Sequence, residues 1–347
     1  MEAIRCPFLH SPLSTLSSSS SVKHSLSFSS SRSSKLQISA SSSIMEYQNE
    51  GRGKFMEFPF VTSAHKKLMV DLVSTLENRF DSQLLPCKLP PDVQYYQNES
   101  GTAQASLQIR SGQSDSPVDF VLGSWVHSEL PNGGSLDITS LSGYLNLSTD
   151  APNFVIEVIR SSPTMLVLIL DLPPRKDLVL WPDDLKTFYE DTQLDTHTQA
   201  LEKIPEVQPY FSSSLYIRTV SSPAAIMVRV ETEAGGGGGE RMEEIIGKHL
   251  DPISKQVLGI WLDHCACAKR DVGETERALL KRRDGLIRNK TLEIDLGSSF
   301  PSVLSNSRIG RLLDSPPLQP LISPAFSRRR QLLREVEGQI SSLYDLS

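Results

Sequence analysis

Two carboxylates stand in unusually apolar parts of the sequence. Glu157 lies within residues 154–159, where all its neighbours are apolar, and Asp295 lies between Ile294 and Leu296. A carboxylate on a buried surface is costly unless it is paired or protonated, and burial raises the pKa of a carboxyl group. An acid kept protonated in this way can donate a proton to a substrate. The pattern at Glu157 therefore leaves two interpretations open, an edge-strand glutamate that reaches solvent or a general acid.

Strand periodicity assigns each carboxylate to a side. Because side chains alternate along a strand, Glu157 shares a face with Val155 and Ile159. The same alternation places Asp295 on one side together with Glu293, which favours a solvated surface at that position. The residues alone therefore rank Glu157 above Asp295 as a catalytic candidate.

A third carboxylate, Asp171, follows the apolar run at residues 165–170. It stands at the end of a predicted strand, which indicates a structural role. We expect it to cap the strand or to pair with Arg175 or Lys176, which follow within five residues.

The motifs of the common enzyme classes are missing. The sequence contains no GxSxG, HExxH, GxGxxG or P-loop pattern. The five glycines at residues 235–239 are not followed by Lys-Ser/Thr, so we interpret them as a flexible connector. The cluster of His264, Cys265 and Cys267 has no second pair of ligands, which favours a helix end over a zinc site.

Composition excludes several classes of protein. The chain has 347 residues, of which 38% are hydrophobic and 22% charged, as in ordinary globular proteins. Its formal net charge of −6 argues against nucleic-acid binding. Its longest apolar run, at residues 165–170, is far shorter than the roughly 20 residues of a membrane span. Four irregularly spaced cysteines fit a reducing compartment.

Residues 1–44 differ in composition from the rest of the chain. They contain eighteen serines and four basic residues, with Glu2 as the single acid. A Ser-rich, basic and acid-poor N-terminus is typical of an organelle transit peptide, and the scarcity of arginine favours the plastid. A serine-rich tail without a targeting role is the alternative. We predict import into the chloroplast stroma.

The rest of the sequence predicts strands first and helices afterwards. Ser63 is a suitable N-cap for an amphipathic helix at residues 63–85. Strands are expected at 105–110, 118–125, 136–145, 153–160, 164–172, 215–220 and 224–231, and further helices at 183–203, 240–270 and 272–290.

Short connections decide the predicted topology. Residues 161–163 are too few for a crossover helix, so the strands at 153–160 and 164–172 should form an antiparallel hairpin. The run at 165–170 is apolar at every position, so helices should cover both faces of the sheet. We predict an α/β fold for residues 45–301, an α/β/α sandwich with a central, largely antiparallel sheet flanked by helices on both faces.

Several longer segments resemble the red chlorophyll catabolite reductase family. These segments are KFMEFP (54–59), LMVDL (68–72), LLPC (84–87), LPPDV (89–93), APNFVIE (151–157), LILDLP (168–173) and RKDLVL (175–180). The resemblance extends from about residue 54 to residue 301. From residue 302 the family pattern is lost, so we interpret residues 302–347 as an atypical C-terminal tail.

The resemblance implies an activity and a fold. The family reduces red chlorophyll catabolite, a linear tetrapyrrole, to the primary fluorescent catabolite during chlorophyll breakdown, acting on a CH–CH bond. Its electrons come singly from reduced ferredoxin, and it binds no flavin, nicotinamide or metal. Its fold is similar to that of ferredoxin-dependent bilin reductases, and its members form homodimers. All of these properties are expectations for this chain.

The resemblance also implies site residues. Two pocket carboxylates of the family fall on Glu157 and Asp295, which are then expected to position the tetrapyrrole and to supply or relay protons. A pocket residue that determines product stereochemistry falls near Ser221, which we take as substrate-binding. Other members carry a bulky apolar residue there. Either the serine widens the pocket or Val220 takes that place after a shift of one residue.

Ferredoxin is acidic, so its docking requires a local positive patch. The candidates in the sequence are Lys66 with Lys67, Arg175 with Lys176, and the basic run at residues 281–283.

Two other functions stay open at this point. The chain could sequester a phototoxic chlorophyll fragment without reducing it, or it could reduce a heme-derived bilin. Paired acids and a ferredoxin patch favour reduction over sequestration, whereas substrate tests alone separate the two reductases.

Overall fold

The structure, a computed structural model, describes residues 50–130, 133–268 and 270–298, with side chains at all of these positions except 289 and 291–298. The chain divides into two compact units, Met1–Tyr47 and Gln48–Ser347. All described residues belong to the second unit. The predicted transit peptide, residues 1–44, and the predicted tail, residues 302–347, lie outside the described residues.

The strands of the described residues form one eight-stranded sheet in which every pair is antiparallel. They are β1 (Tyr95–Gln97), β2 (Ala103–Ser111), β3 (Val118–Glu129), β4 (Ser135–Leu145), β5 (Phe154–Ser162), β6 (Met165–Asp171), β7 (Val207–Pro209) and β8 (Ile226–Glu231). Their order is β1-β2-β3-β4-β5-β6-β8-β7. The predicted antiparallel α/β architecture is confirmed, including the hairpin at 161–163, where Ser162 pairs with Met165.

Helices precede, interrupt and follow the sheet. Within the described residues they are α1 (50–57), α2 (Ser63–Arg79), α3 (Pro91–Gln94), α4 (Pro182–Leu185), α5 (Thr196–Leu201), α6 (Leu215–Val220), α7 (Gly238–Ile245), α8 (Asp251–Ile260) and α9 (Glu274–Ser298). π-helical segments extend three of them, at Lys186–Glu190, Ile246–Leu250 and Trp261–Ala266. No described helix combines the length and apolarity that a bilayer span requires.

One face of the sheet is sealed by helices α1, α2 and α8 with its π-helical extension. Phe55 of α1, His65 of α2 and Trp261 of the extension each contact a residue of β3 or β4 on this face. Eight strand residues on the same face are at most 1% exposed: Ile156, Val158, Leu166, Leu168, Leu170, Ile226, Val228 and Val230. Burial of these side chains supplies the main stabilisation of the fold.

Two glycines let aromatic rings approach the backbone of the sheet on the sealed face. A Cβ atom at Gly143 would lie 2.6 Å from the Trp261 ring, and one at Gly123 would lie 2.5 Å from the Phe55 ring. The Trp261 Nε1 atom also donates a hydrogen bond to the Pro152 carbonyl at 3.1 Å. Any larger residue at either glycine would therefore displace the ring above it.

The opposite face is apolar but only half-buried. Buried and partly buried residues alternate along β5, β6 and β8. The partly buried positions include Val155, Ile159, Val167, Ile169 and Met227. Helix α9 reaches this face where the guanidinium of Arg288 lies 5.2 Å from the centre of the Phe120 ring. Helices thus lie against both faces, as predicted, but they seal only the first.

Residues 215–220 form helix α6 and not the predicted strand. The alternating apolar residues Leu215 and Ile217 favoured a strand. The side chain of Ser214 instead caps a helix, because its Oγ accepts a hydrogen bond from the Ile217 amide at 3.3 Å. The adjoining place in the sheet is occupied by β7, which pairs with β8.

Helix α2 presses a histidine against the sealed face. His65 is fully buried, and its Nε2 atom lies 2.8 Å from Thr139 Oγ1. Its Nδ1 atom has no hydrogen-bond partner in the described part of the chain. Burial, assisted by the positive charge of Arg160, lowers the pKa of His65 to about 3. The ring is therefore neutral in the folded protein at neutral pH.

We expect His65→Gln to reduce the loss of stability in acid. Below pH 6.5 the unfolded chain binds a proton at His65, whereas the folded chain does so only near pH 3. Wild-type stability should therefore fall through this window, with a contribution of up to about 1.4 kcal/mol per pH unit from this group. Urea unfolding of the full chain between about pH 5 and pH 7 measures the slope.

The exposed residue His264 provides the matched control. His264→Gln should keep the wild-type slope because that ring is solvated in both states. Equal slopes for wild type and His65→Gln would contradict the role given to the buried ring.

Candidate active site

Glu157 lies near the middle of the sheet on its half-buried face. It is the fourth residue of β5, and its cross-strand neighbours are Ser140 on β4 and Ile169 on β6. The Oγ atom of Ser140 lies 2.7 Å from Ser124 Oγ on β3. A polar row therefore crosses three strands of an otherwise apolar face. The strand face predicted for Glu157 is confirmed, and it is the half-buried face of the sheet.

The position of Glu157 defines what this face can do. Its strand is paired on both sides, so the backbone that carries the carboxyl group is fixed. Ligand-binding sites are lined mostly by apolar side chains with a few polar groups among them. A ligand lying on this face would pass over the strand that carries Glu157.

Asp171 is a buried acid on the same face. It pairs with Val155 across the sheet and is therefore a diagonal neighbour of Glu157, about 7–8 Å away between Cα atoms. The amide and the hydroxyl of Ser222 donate hydrogen bonds to its two carboxylate oxygens, at 2.9 and 2.5 Å. Burial raises the pKa of Asp171 to about 6, although these hydrogen bonds and the Leu172 amide oppose the rise.

The expected pairing of Asp171 with Arg175 or Lys176 is wrong. The Arg175 guanidinium is buried against Asp284 of α9, with an N–O distance of 2.7 Å. Lys176 pairs instead with Asp150 at 2.5 Å and with Asp184 at 2.9 Å. Both basic residues are therefore neutralised inside the protein, and Arg175 ties α9 to the segment that follows β6.

A cavity of about 560 Å³ lies where α6, α9 and the segment at 175–181 meet. This volume is within the range of small-molecule sites. Its apolar wall includes Leu180, Trp181, Tyr216, Val220, Leu279 and Leu286. Three of these side chains are more than half exposed at its mouth, namely Leu180, Leu279 and Leu286. The cavity thus opens to solvent through an apolar rim.

The structure distinguishes Ser221 from its neighbour. The hydroxyl of Ser221 donates a hydrogen bond to the Ile217 carbonyl at 2.7 Å and so folds back onto α6. Val220, in contrast, lines the cavity. The substrate-binding role expected of Ser221 stays a prediction. Ser222, one residue further, connects the same segment to Asp171.

Asp295 lies on helix α9 and not in a strand. The alternation of residues 292–296 was misleading because α9, which contains no proline, continues through them to Ser298. The strand alternation that placed Glu293 and Asp295 on one side does not apply to a helix, which has 3.6 residues per turn. Asp295 follows Arg288 by two turns, or about 10 Å along the helix axis.

The cysteines do not form a metal site in the described part of the chain, where no group of three or more metal-ligating residues occurs. His264 is exposed, whereas Cys265 is completely buried and burial raises the pKa of its thiol. Cys87 is likewise buried with a raised pKa, as expected of a small core residue.

Comparison with known proteins identifies the family. A sequence profile described as red chlorophyll catabolite reductase (RCC reductase) matches residues 64–315, a span that includes Glu157, Ser221 and Asp295. The chain belongs to the red chlorophyll catabolite reductase family. The resemblance inferred from the sequence segments is confirmed.

Three members of the family show the extent of the similarity. Red chlorophyll catabolite reductase, chloroplastic, of Arabidopsis thaliana is 52% identical over 274 residues, 78% of this chain and 85% of that protein. Red chlorophyll catabolite reductase 1, chloroplastic, of Oryza sativa subsp. japonica is 40% identical over 255 residues, 73% and 77% of the two chains. The Hordeum vulgare reductase is 42% identical over 196 residues, 56% and 94% of the two chains.

The fold is shared with a bilin reductase. A crystal structure of tomato phytochromobilin synthase in complex with biliverdin aligns with a TM-score of 0.55, covering 76% of this chain and 86% of that chain. The sequence identity is 12%, so the likeness concerns the fold. The predicted similarity of fold to the bilin reductases is confirmed.

The contact between Asp171 and Ser222 was not predicted. The two residues are 51 positions apart, and no sequence pattern pairs them. The apolar strand before Asp171 indicated its burial, but its partner depends on helix α6, which the sequence presented as a strand. This contact fixes the end of α6 against the half-buried face of the sheet.

We expect Ser222→Ala to destabilise the protein by about 1–3 kcal/mol, because it removes a hydroxyl donor from a buried carboxylate. Ser221→Ala is the matched control. It removes a partly exposed hydroxyl that bonds within its own helix and should cost less than about 1 kcal/mol. Urea unfolding at neutral pH measures both changes. Equal costs for the two serines would contradict a special role for the contact with Asp171.

Proposed function

We propose that this protein reduces red chlorophyll catabolite in the chloroplast stroma, with reduced ferredoxin as the electron donor and no resident cofactor. Membership of the family over a span that contains all three candidate residues carries the proposal. The half-buried apolar face that holds Glu157 supports it, because a linear tetrapyrrole is a flat conjugated molecule. The chloroplastic names of two relatives support the location. A homodimer, measurable by sedimentation, is part of the proposal.

The proposed reaction adds two electrons and two protons to one methine double bond. Two reduced ferredoxins each give up one electron and become oxidised. The carbon–carbon π bond is lost, and two C–H bonds form, one at each carbon. Because the electrons arrive singly, the substrate carries a radical between the two transfers. The protons come from protein acids, which are reprotonated by solvent.

Glu157 is the proposed proton donor nearest the sheet. Its carboxyl group projects from a rigid strand on a face shared with the buried acid Asp171. Asp295, which lies on helix α9, is the proposed donor of the second proton. Two acids on different elements could address the two faces of a planar pigment, which suits the addition of one proton to each carbon.

The structure favours one ferredoxin patch over the other two. Arg175 and Lys176 are buried in ion pairs, and Lys66 lies on α2, which covers the sealed face. Lys281 and Arg282 are exposed on α9, and Arg282 lines the cavity. Neither of these two forms an ion pair with a described carboxylate. Because electron transfer needs proximity to the pigment, we propose docking at Lys281 and Arg282.

We expect Glu157→Gln to retain the fold and pigment binding but to lower turnover by a factor on the order of 10²–10⁴, the contribution of a positioned acid. The assay is anaerobic growth of the blue-fluorescent product with red chlorophyll catabolite and a ferredoxin-reducing system. Glu129→Gln is the control, because Glu129 is exposed at the end of β3. Unchanged turnover in Glu157→Gln would contradict a catalytic role for Glu157. Tight pigment binding by wild type without product would instead support sequestration.

We expect the double variant Lys281→Glu/Arg282→Glu to raise KM for ferredoxin by about tenfold at low salt, because it reverses the charge that attracts an acidic partner. Its kcat at saturating ferredoxin should change little, and added salt should narrow the difference. Lys66→Glu is the control on the other side of the sheet. A larger rise of the KM for ferredoxin in Lys66→Glu would contradict this proposal and indicate that ferredoxin docks at α2.

A further inference from the structure

The charged groups around the cavity differ in whether the protein already neutralises them. Arg175 and Lys176 line it, but both are paired with buried aspartates. The two acids of the lining, Asp177 and Glu276, accept hydrogen bonds from backbone amides. Glu276 also lies 4.0 Å from Lys176 Nζ. Of the basic groups in the described lining, Arg282 and Arg283, two consecutive residues of α9, are the ones that form no ion pair with a described carboxylate.

Arg283 is the more enclosed of these two arginines. Its terminal nitrogen donates a hydrogen bond to the Pro174 carbonyl at 2.7 Å, which fixes the guanidinium against the cavity wall. Its Nε atom is buried and has no hydrogen-bond partner among the described residues. No described carboxylate lies within ion-pair distance of it. A buried donor of this kind is costly unless a ligand or solvent satisfies it.

The positive charge of Arg283 acts on a side chain inside the cavity. Burial raises the pKa of the Tyr216 hydroxyl, and the positive charge of Arg283 opposes that rise. Tyr216 lies in the cavity wall beside Val220, on helix α6. The guanidinium and the apolar side chains therefore face one space, which is suited to a ligand that is apolar along its body and anionic at one point.

We infer that Arg283 binds a side-chain carboxylate of the pigment, while the apolar wall of the cavity holds part of its conjugated body. The inference rests on the proposed function, since it names a recognition element for the same tetrapyrrole. Guanidinium groups favour carboxylates because their N–H donors match the two oxygens and the charge is retained at all relevant pH values.

The cavity is connected to the half-buried sheet face through α6. Val220 lines the cavity, and Ser222, two residues later, holds Asp171 beside Glu157 on the sheet. A carboxylate held by Arg283 would therefore fix the pigment from the side of α9 while its conjugated system extends towards the strand acids. Arg283 acts in this scheme as a substrate-binding residue and leaves the proton transfers to the acids.

Binding of an acid and its ester tests the inference. Biliverdin, which carries two propionic acid groups, and biliverdin dimethyl ester serve as linear tetrapyrrole probes. Their dissociation constants are measured from visible absorption with the full chain and no reductant. Wild type should prefer the acid by about tenfold or more, as expected of a charge-assisted hydrogen bond. Arg283→Met should bind the two probes within about threefold of each other.

Two further variants make the result specific. Arg283→Lys keeps the charge and should keep part of the preference for the acid. Arg277→Met removes an exposed charge six residues earlier on the same helix and should keep the full preference. Equal binding of acid and ester by wild type, or an undiminished preference in Arg283→Met, would overturn the inference. Circular dichroism and urea midpoints show whether each variant is folded.

The outcome is separable from that of the proposed function. The binding measurement needs neither ferredoxin nor turnover. If wild type forms no fluorescent product but Arg283→Met loses its preference for the acid, the result supports the carboxylate site and contradicts the proposed reductase activity. If wild type is active and Arg283→Met keeps the preference, the result supports the reductase activity and shows that the pigment carboxylate binds at a site other than Arg283.

Discussion

The fold depends on a sheet that is apolar on both faces but is sealed on only one. Helices α1, α2 and α8 close the first face so tightly that aromatic rings rest on glycine backbone at Gly143 and Gly123. This packing supplies the stability and holds the strands rigidly. The second face then remains free to bind a ligand without loss of the core. Glu157 stands on that second face, at a position which the sealed side fixes.

Ion pairs tie helix α9 to the rest of the fold. The buried pair of Arg175 with Asp284 joins it to the segment after β6, and Arg288 contacts Asp119 and the Phe120 ring at the end of the sheet. Removing one partner of a buried ion pair usually costs about 3–5 kcal/mol, because the other charge is left unpaired. The same helix carries Arg283, which lines the cavity.

The contact between Asp171 and Ser222 joins the sheet face that carries Glu157 to the wall of the cavity. It links the strand next to Glu157 with the end of α6, whose Val220 forms part of the cavity wall. A carboxylate with a pKa of about 6 at this junction is sensitive to any change in its two donors. These hydrogen bonds therefore fix the wall of the cavity relative to the acid-bearing face of the sheet.

The sequence alone determined the antiparallel sheet, the face of Glu157 and the family, because these follow from alternation, short connections and contiguous segments. It misassigned residues 215–220, since six residues with alternating apolar side chains are compatible with either a strand or a capped helix. It gave Asp171 the wrong partners and could not find the cavity. Those features are contacts between residues far apart in the chain, and they exist only once packing has placed α6 and α9 beside the sheet.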